Sequence, residues 1–182
     1  FRRFMVECLQ DRFPLLEASN GKEAMAILKK QSVSMVISDV MMPKMNGLEL
    51  CRNIKNDIRF SHIPVILLTA KTADDNVIQG LKEGCDDYVT KPFNIDVLML
   101  RITRIMEWSQ SAHSRFKTVE VSPSEITITS LDEQLISKAI RIVEDNMSNM
   151  DFSVDDLSSA IGMTRGHLYK KLMAITGKAP LE

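Results

Sequence analysis

Val36-Ile37-Ser38-Asp39-Val40-Met41-Met42-Pro43 decides how this chain folds. An apolar, β-branched run ends abruptly in an aspartate, and Pro43 and Gly47 follow as turn residues. Two further runs end in the same way. Val65-Ile66-Leu67-Leu68 leads into Thr69, and Tyr88-Val89-Thr90 leads into Lys91-Pro92. Helical periodicity fills the intervals, so strands and helices alternate to about residue 110. That alternation predicts a doubly wound α/β fold, a parallel sheet with helices on both faces. Chemistry in such sheets sits just beyond the carboxyl ends of the strands. An Asp, a hydroxyl and a Lys at three strand ends would therefore converge on one crevice.

A carboxylate held there can form an acyl phosphate. Phosphoryl transfer asks mainly for positioning and for charge stabilisation on the equatorial oxygens. Lys91 can supply a point charge and Thr69 a hydrogen bond. The plainer readings are a turn-capping aspartate and a surface lysine, but Pro92 argues for a fixed turn at Lys91.

The run from Asp39 through Met41, Met42, Pro43 and Met45 to Gly47 resembles the receiver domain of two-component response regulators. The thirty residues from Asp39 to Thr69 and the twenty-two from Thr69 to Lys91 are similar to that family's spacing. The resemblance implies a flavodoxin-like fold with Asp39 as phosphoacceptor, modified by a histidine kinase. It implies Thr69 and Lys91 as phosphoryl-binding residues and Tyr88 as an aromatic that changes its burial on phosphorylation. It also implies a cis peptide at Lys91-Pro92, and Mg2+ held by Asp39, the main-chain carbonyl of Met41 and an acidic pair. The acidic pair ends a first strand in that family, whereas this sequence opens on Phe1-Arg2-Arg3-Phe4-Met5, which reads as the first helix. A sheet without its first strand is thus expected, with metal binding weak and the remaining acidic ligands outside the chain.

A missing central strand would leave backbone groups unpaired on both neighbours. The gap is expected to be filled by residues 120–129, where Val121, Ile126 and Ile128 alternate, or by a homodimeric, strand-exchanged neighbour. Further helices are expected over residues 1–11, 22–30, 47–55, 74–82 and 94–108. A strand is expected over 15–18, and Gly84 as the C-cap of the helix before it.

Residues 1–110 thus form the expected receiver, 111–130 a Ser/Thr-rich linker, and 131–182 a small all-α segment. In that segment Leu135, Ile136, Ala139, Ile140 and Val143 follow helical spacing, with Asp132 and Glu133 in the first turn, where the helix dipole favours them. Ser153 and Asp156 form a capping-box pattern, and Ile161-Gly162-Met163-Thr164 is a turn with Thr164 as a new N-cap. Two short helices about such a turn make a helix-turn-helix. The block resembles the first helix-turn-helix of the arabinose-regulator (AraC) family, and with the receiver it is similar to the cytoplasmic end of bacterial hybrid two-component systems. Leu168, Leu172 and Ile175 are expected to face the core. Arg165, His167, Lys170 and Lys171 are left for DNA, Arg165 as base reader and the two lysines at phosphates.

The net charge of -1 excludes a global attraction to polyanions, but residues 157–181 carry four cations and no Asp or Glu. With 45% apolar and 26% charged residues the composition is that of a water-soluble protein. Cys8, Cys51 and Cys85 lack metal-ligand spacing and read as reduced thiols of a cytoplasmic protein, and no apolar run is long enough to span a membrane. The expected function is a phosphorylation-controlled transcription regulator. The alternative is a receiver whose helical tail binds a protein. A phosphohydrolase is disfavoured, because haloacid-dehalogenase phosphatases place a second Asp where Met41 stands.

Overall fold

The structure, a computed structural model, describes residues 2–70, 84–114 and 130–180. The chain divides into two compact units, Phe1–Asn53 with Val65–Arg104, and Ile54–Pro64 with Ile105–Glu182.

The first unit is built on a parallel sheet of β1 (Val36–Asp39), β2 (Val65–Ala70) and β3 (Asp87–Lys91), in the order β1-β2-β3. Val36 to Asp39 pair with Val65 to Leu68, and Ile66 to Ala70 pair with Asp87 to Lys91. Central β2 is buried from Val65 to Thr69, as a strand covered on both faces must be. Around the sheet run α1 (Arg2–Leu9), α2 (Gly21–Lys30), α3 (Gly47–Asn56) and α4 (Ile95–Ser114). Leu50, Cys51, Leu98 and Ile102 complete the core. Asn20 caps α2, its side chain accepting from the Lys22 and Glu23 amides, while Glu23 accepts from the Ser19 amide. The Ser19 amide most, and the Asn20 side-chain amide donating to Glu23 Oε1 as well, hold the Glu23 carboxyl below the usual carboxylate range.

The strand expected over 15–18 does not form. Leu15 and Leu16 are 36% and 49% exposed, and no ladder includes them. A strand exists only through bonds to a neighbour, and among the described residues β1 pairs with β2 alone. The helix expected over 74–82 and the linker strand expected over 120–129 lie outside the described residues. Helix α4 runs on to Ser114, past the end near residue 108 that its sequence suggests. Cys8 is half-buried, Cys51 and Cys85 are buried, and none of the three is in a disulfide. No helix among the described residues is long and apolar enough to cross a membrane.

The second unit contains α5 (Ser130–Asp145), α6 (Val154–Ile161) and α7 (Arg165–Thr176). One apolar cluster joins them: Leu135, Ile136 and Ala139 from α5, Leu157 from α6, Met163 from the turn, and Leu168, Leu172 and Ile175 from α7. The capping box at Ser153 and Asp156 is formed in both directions. Gly162 ends α6 at φ 86°, a left-handed conformation that favours glycine. Thr164 then caps α7 by accepting from the His167 amide.

Candidate functional site

Asp39, Thr69 and Lys91 stand at the carboxyl ends of β1, β2 and β3, and the parallel register brings the three ends side by side. Lys91 Nζ donates to Asp39 Oδ2, with both side chains about a quarter exposed. The Met41 amide donates to Asp39 Oδ1 at 3.1 Å. The carboxylate is thus fixed at both oxygens and open on one side. Thr69 is buried and its hydroxyl donates to the Ala70 carbonyl at 3.4 Å. The Lys91-Pro92 peptide is cis.

The loop beyond Asp39 is held from both sides. The Gly47 amide donates to the Val40 carbonyl at 2.9 Å, and the Gly21 amide to the Met45 carbonyl at 3.1 Å. Asn46 and Glu49 exchange capping bonds that start α3. A Cβ on Gly47 would lie 2.2 Å from the Asp39 carbonyl oxygen, so glycine there permits the backbone approach that sets the height of the Asp39 side chain.

Tyr88 lies on β3, and its hydroxyl is buried with no hydrogen-bond partner among the described residues. Burial pushes the phenol up, against a smaller opposing pull from Thr69 close by. A buried polar atom left in this way is costly.

The described residues do not by themselves assemble a magnesium site. Asp39 provides one carboxylate beside the exposed Met41, and no described group of three His, Cys, Asp or Glu could hold a metal.

Residues 1–103 match the response regulator receiver domain. The chain belongs to the response regulator receiver family. The whole chain is 44% identical over 182 residues to Histidine kinase P4 of Formosa agariphila, of which it spans 13%. It is 40% identical over 94 residues to the phosphate regulon transcriptional regulatory protein PhoB of Pseudomonas aeruginosa, covering 52% of this chain and 41% of that one. Among solved structures, the signal receiver domain of a histidine kinase from Syntrophus aciditrophicus matches with a TM-score of 0.56 and 31% identity, over 66% of this chain and 89% of that one. The chain thus spans well under two thirds of these curated relatives, and its sheet and helices are the flavodoxin-like receiver fold.

In the second unit the residues read as DNA contacts separate. Arg165 is exposed and pairs with Asp155 at 3.3 Å. Lys170 is exposed. His167 is half-buried, with Nδ1 2.9 Å from the Thr164 hydroxyl and its ring edge-on to Phe60. Lys171 corrects the sequence reading. It is fully buried, and its ammonium pairs with the equally buried Asp132 of α5. A charge removed from water needs a partner, and Lys171 has one inside the protein rather than a DNA phosphate. Burial holds the Lys171 ammonium below the ordinary lysine range, with Asp132 pulling the other way.

Asp132 and Ser61 were missed as functional partners in the sequence. The signal for Asp132 and for its partner Lys171 lies in the helical period, whereas Ser61 stands on no helix. Asp132 precedes Leu135, Ile136 and Ala139 by three, four and seven residues, and Lys171 falls between the buried Leu168, Leu172 and Ile175. Both charges therefore sit on core-facing stripes.

Proposed function

We propose that the chain is the receiver and adjoining output segment of a phosphorylation-controlled transcription regulator. The ion pair of Asp39 and Lys91 at converging strand ends carries this reading. In the reaction inferred, an Asp39 oxygen attacks the phosphorus of a phosphohistidine on a histidine kinase. The P–N bond breaks, its electron pair stays on the imidazole, and an aspartyl phosphate forms. Lys91 holds the carboxylate in place and then faces the added phosphoryl charge. Thr69, by turning its hydroxyl from the Ala70 carbonyl, would donate to a phosphoryl oxygen, and Tyr88 would follow into the space released. The receiver domain of sensor histidine kinase PA1611 from Pseudomonas aeruginosa holds a magnesium ion in its active-site cleft; in this chain Asp39 would be one ligand of such an ion, and the acidic pair is not among the described residues.

For the output segment we infer DNA binding by α6 and α7, with α7 as the helix that enters the major groove. Support comes from the cap-turn-cap geometry and from exposed Arg165 and Lys170 on one helix. An output that binds protein instead is favoured by the exposed apolar side chains of Ile140, Val143, Met147 and Met150. The histidine kinase, the DNA and a strand-exchanged homodimer are the partners this reading proposes.

Acetyl phosphate with magnesium, given to this chain and to one extended upstream, tests the first half by mass spectrometry. Modification is expected at Asp39, greater in the extended chain, and lost in Asp39→Asn. Labelling that survives Asp39→Asn would overturn the assignment. Binding of promoter DNA, measured with the C-terminus extended, separates the two outputs.

A further inference from the structure

Glycine is the poorest helix former after proline, so a glycine inside a helix calls for a reason. The other described glycines supply one. Gly84, Gly162 and Gly177 have left-handed backbones, and a Cβ on Gly21 or Gly47 would come within 2.6 or 2.2 Å of another atom. Gly166 supplies none. It lies in the first turn of α7, is exposed, has an ordinary helical backbone, and a Cβ built on it meets nothing within 4 Å. Alanine would fit there and should strengthen a twelve-residue helix that depends on its caps. Among the described residues, the fold has no use for this glycine.

Its surroundings show what would use it. Residues three and four apart are neighbours on a helix, so Tyr169 and Lys170 stand one turn from Gly166, with Arg165 beside it. Arg165, Tyr169, Lys170 and Met173 are exposed, whereas Leu168, Lys171, Leu172 and Ile175 are buried on the other side of the helix. The bare backbone at 166 is therefore a notch in an outward face, flanked by a phenol and two long cations. Helix α7 contains no Asp or Glu, and Asp155 of α6 reaches this face where it pairs with Arg165. An occupant that comes close to a peptide backbone between two cations is a polyanion, and a helix suits the width of the major groove of a DNA duplex.

We propose that Gly166 is the point of closest approach of α7 to DNA: its backbone lies directly against the duplex, and the missing side chain sets how deeply the helix enters the groove. This rests on the reading of α7 as a DNA-binding helix, and adds to it a residue with no side chain to offer. A Cβ at 166 would meet the duplex before Arg165 and Lys170 reach bases and phosphates, so both kinds of contact weaken with the size of the group added. The glycine thus lowers the stability of the free helix and improves its fit to a duplex.

The test compares the full chain with Gly166→Ala, Gly166→Leu and Lys170→Ala, by thermal unfolding and by fluorescence anisotropy on a labelled mixed-sequence DNA duplex at low salt. Gly166→Ala is expected to leave the thermal midpoint unchanged or raise it while weakening duplex binding several-fold, and Gly166→Leu to weaken binding further. A lowered midpoint in Gly166→Ala would show that the fold itself needs the glycine and would overturn the proposal. Binding by Gly166→Leu as tight as by the parent would overturn the close approach; if Lys170→Ala weakens binding in the same series, the DNA reading of α7 survives that result. If the parent binds no duplex, or none of the three variants changes binding, the DNA reading of α7 fails and takes the proposal with it. Should Gly166→Leu not fold, Gly166→Ala decides.

Discussion

Gly47 shows how one hydrogen in place of a methyl group sets the position of a reactive carboxylate. The 2.2 Å gap to the Asp39 carbonyl oxygen, and 2.9 Å to Val40 Cα, leave no room that a flexible side chain could vacate. Gly47→Ala must push backbone against backbone, and is expected to cost about 1–3 kcal/mol and to misplace Asp39. Urea unfolding measures the first and acetyl phosphate labelling the second; an unchanged midpoint would contradict the geometry. The Asp132–Lys171 pair makes a different demand. Asp132→Ala strands a buried ammonium and is expected to cost roughly 3–5 kcal/mol, whereas Asp132→Leu combined with Lys171→Met costs far less, because no charge is left alone. The pair also carries a pH signature. Lys171 binds its proton less tightly when folded than when unfolded. Its burial therefore penalises the folded state fully below the folded pKa, and the penalty is relieved as pH rises towards the ordinary 10.5. The stability of the parent chain relative to that double variant should rise between neutral pH and pH values near 10, as read from urea midpoints.

At the scale of elements, α6 and α7 are defined by their ends more than by their length. Eight- and twelve-residue helices are marginal alone, so caps and the apolar cluster decide whether they form. Ser153→Ala removes the acceptor of the Asp156 amide and is expected to cost about 1 kcal/mol, visible as a lowered thermal midpoint. The same box acts on Asp156, whose carboxyl is held below its usual range by the Ser153 hydroxyl and amide. A carboxyl depressed on folding contributes stability that is present above its unfolded value of 3.8 and fades as pH falls through the folded value. Acid unfolding of Ser153→Ala should therefore run closer to that of the parent below pH 3 than at pH 7. The sheet follows another rule. Strand β2 forms from an unbroken apolar run, but residues 15–18, no less apolar at Leu15 and Leu16, stay outside any ladder because a strand is a relation between neighbours.

For the molecule as a whole, charge location matters more than net charge. In the proposed DNA-binding reading, a chain at -1 gains nothing from bulk attraction to DNA, so binding rests on local cations, and the slope of log affinity against log salt is set by how many of them meet phosphates. Lys170, exposed on α7, is expected to lower the slope of log affinity against log salt by about one when changed to alanine, and equally for all sequences. Buried Lys171 predicts no such change of slope in the Asp132→Leu, Lys171→Met double variant. Anisotropy titrations at several salt concentrations, with the C-terminus extended, distinguish the two; equal slopes for both would remove Lys170 from the interface.

The sequence by itself determined the strand ends, the order of Asp39, Thr69 and Lys91, the caps at Ser153 and Thr164, and the buried stripe of Leu168, Leu172 and Ile175. Each of these is local: a period, a cap or a breaker acts within a few residues, and its chemistry is legible one turn at a time. Tertiary structure decided the rest. It took Lys171 off the solvent face, gave Asp132 an ammonium instead of a helix dipole as its main partner, and seated Ser61 between them from 71 and 110 residues away. It also left Leu15 and Leu16 without a ladder. These outcomes depend on which segments meet, and a charge or a strand edge is satisfied by its neighbours in space, whatever stands beside it in the chain.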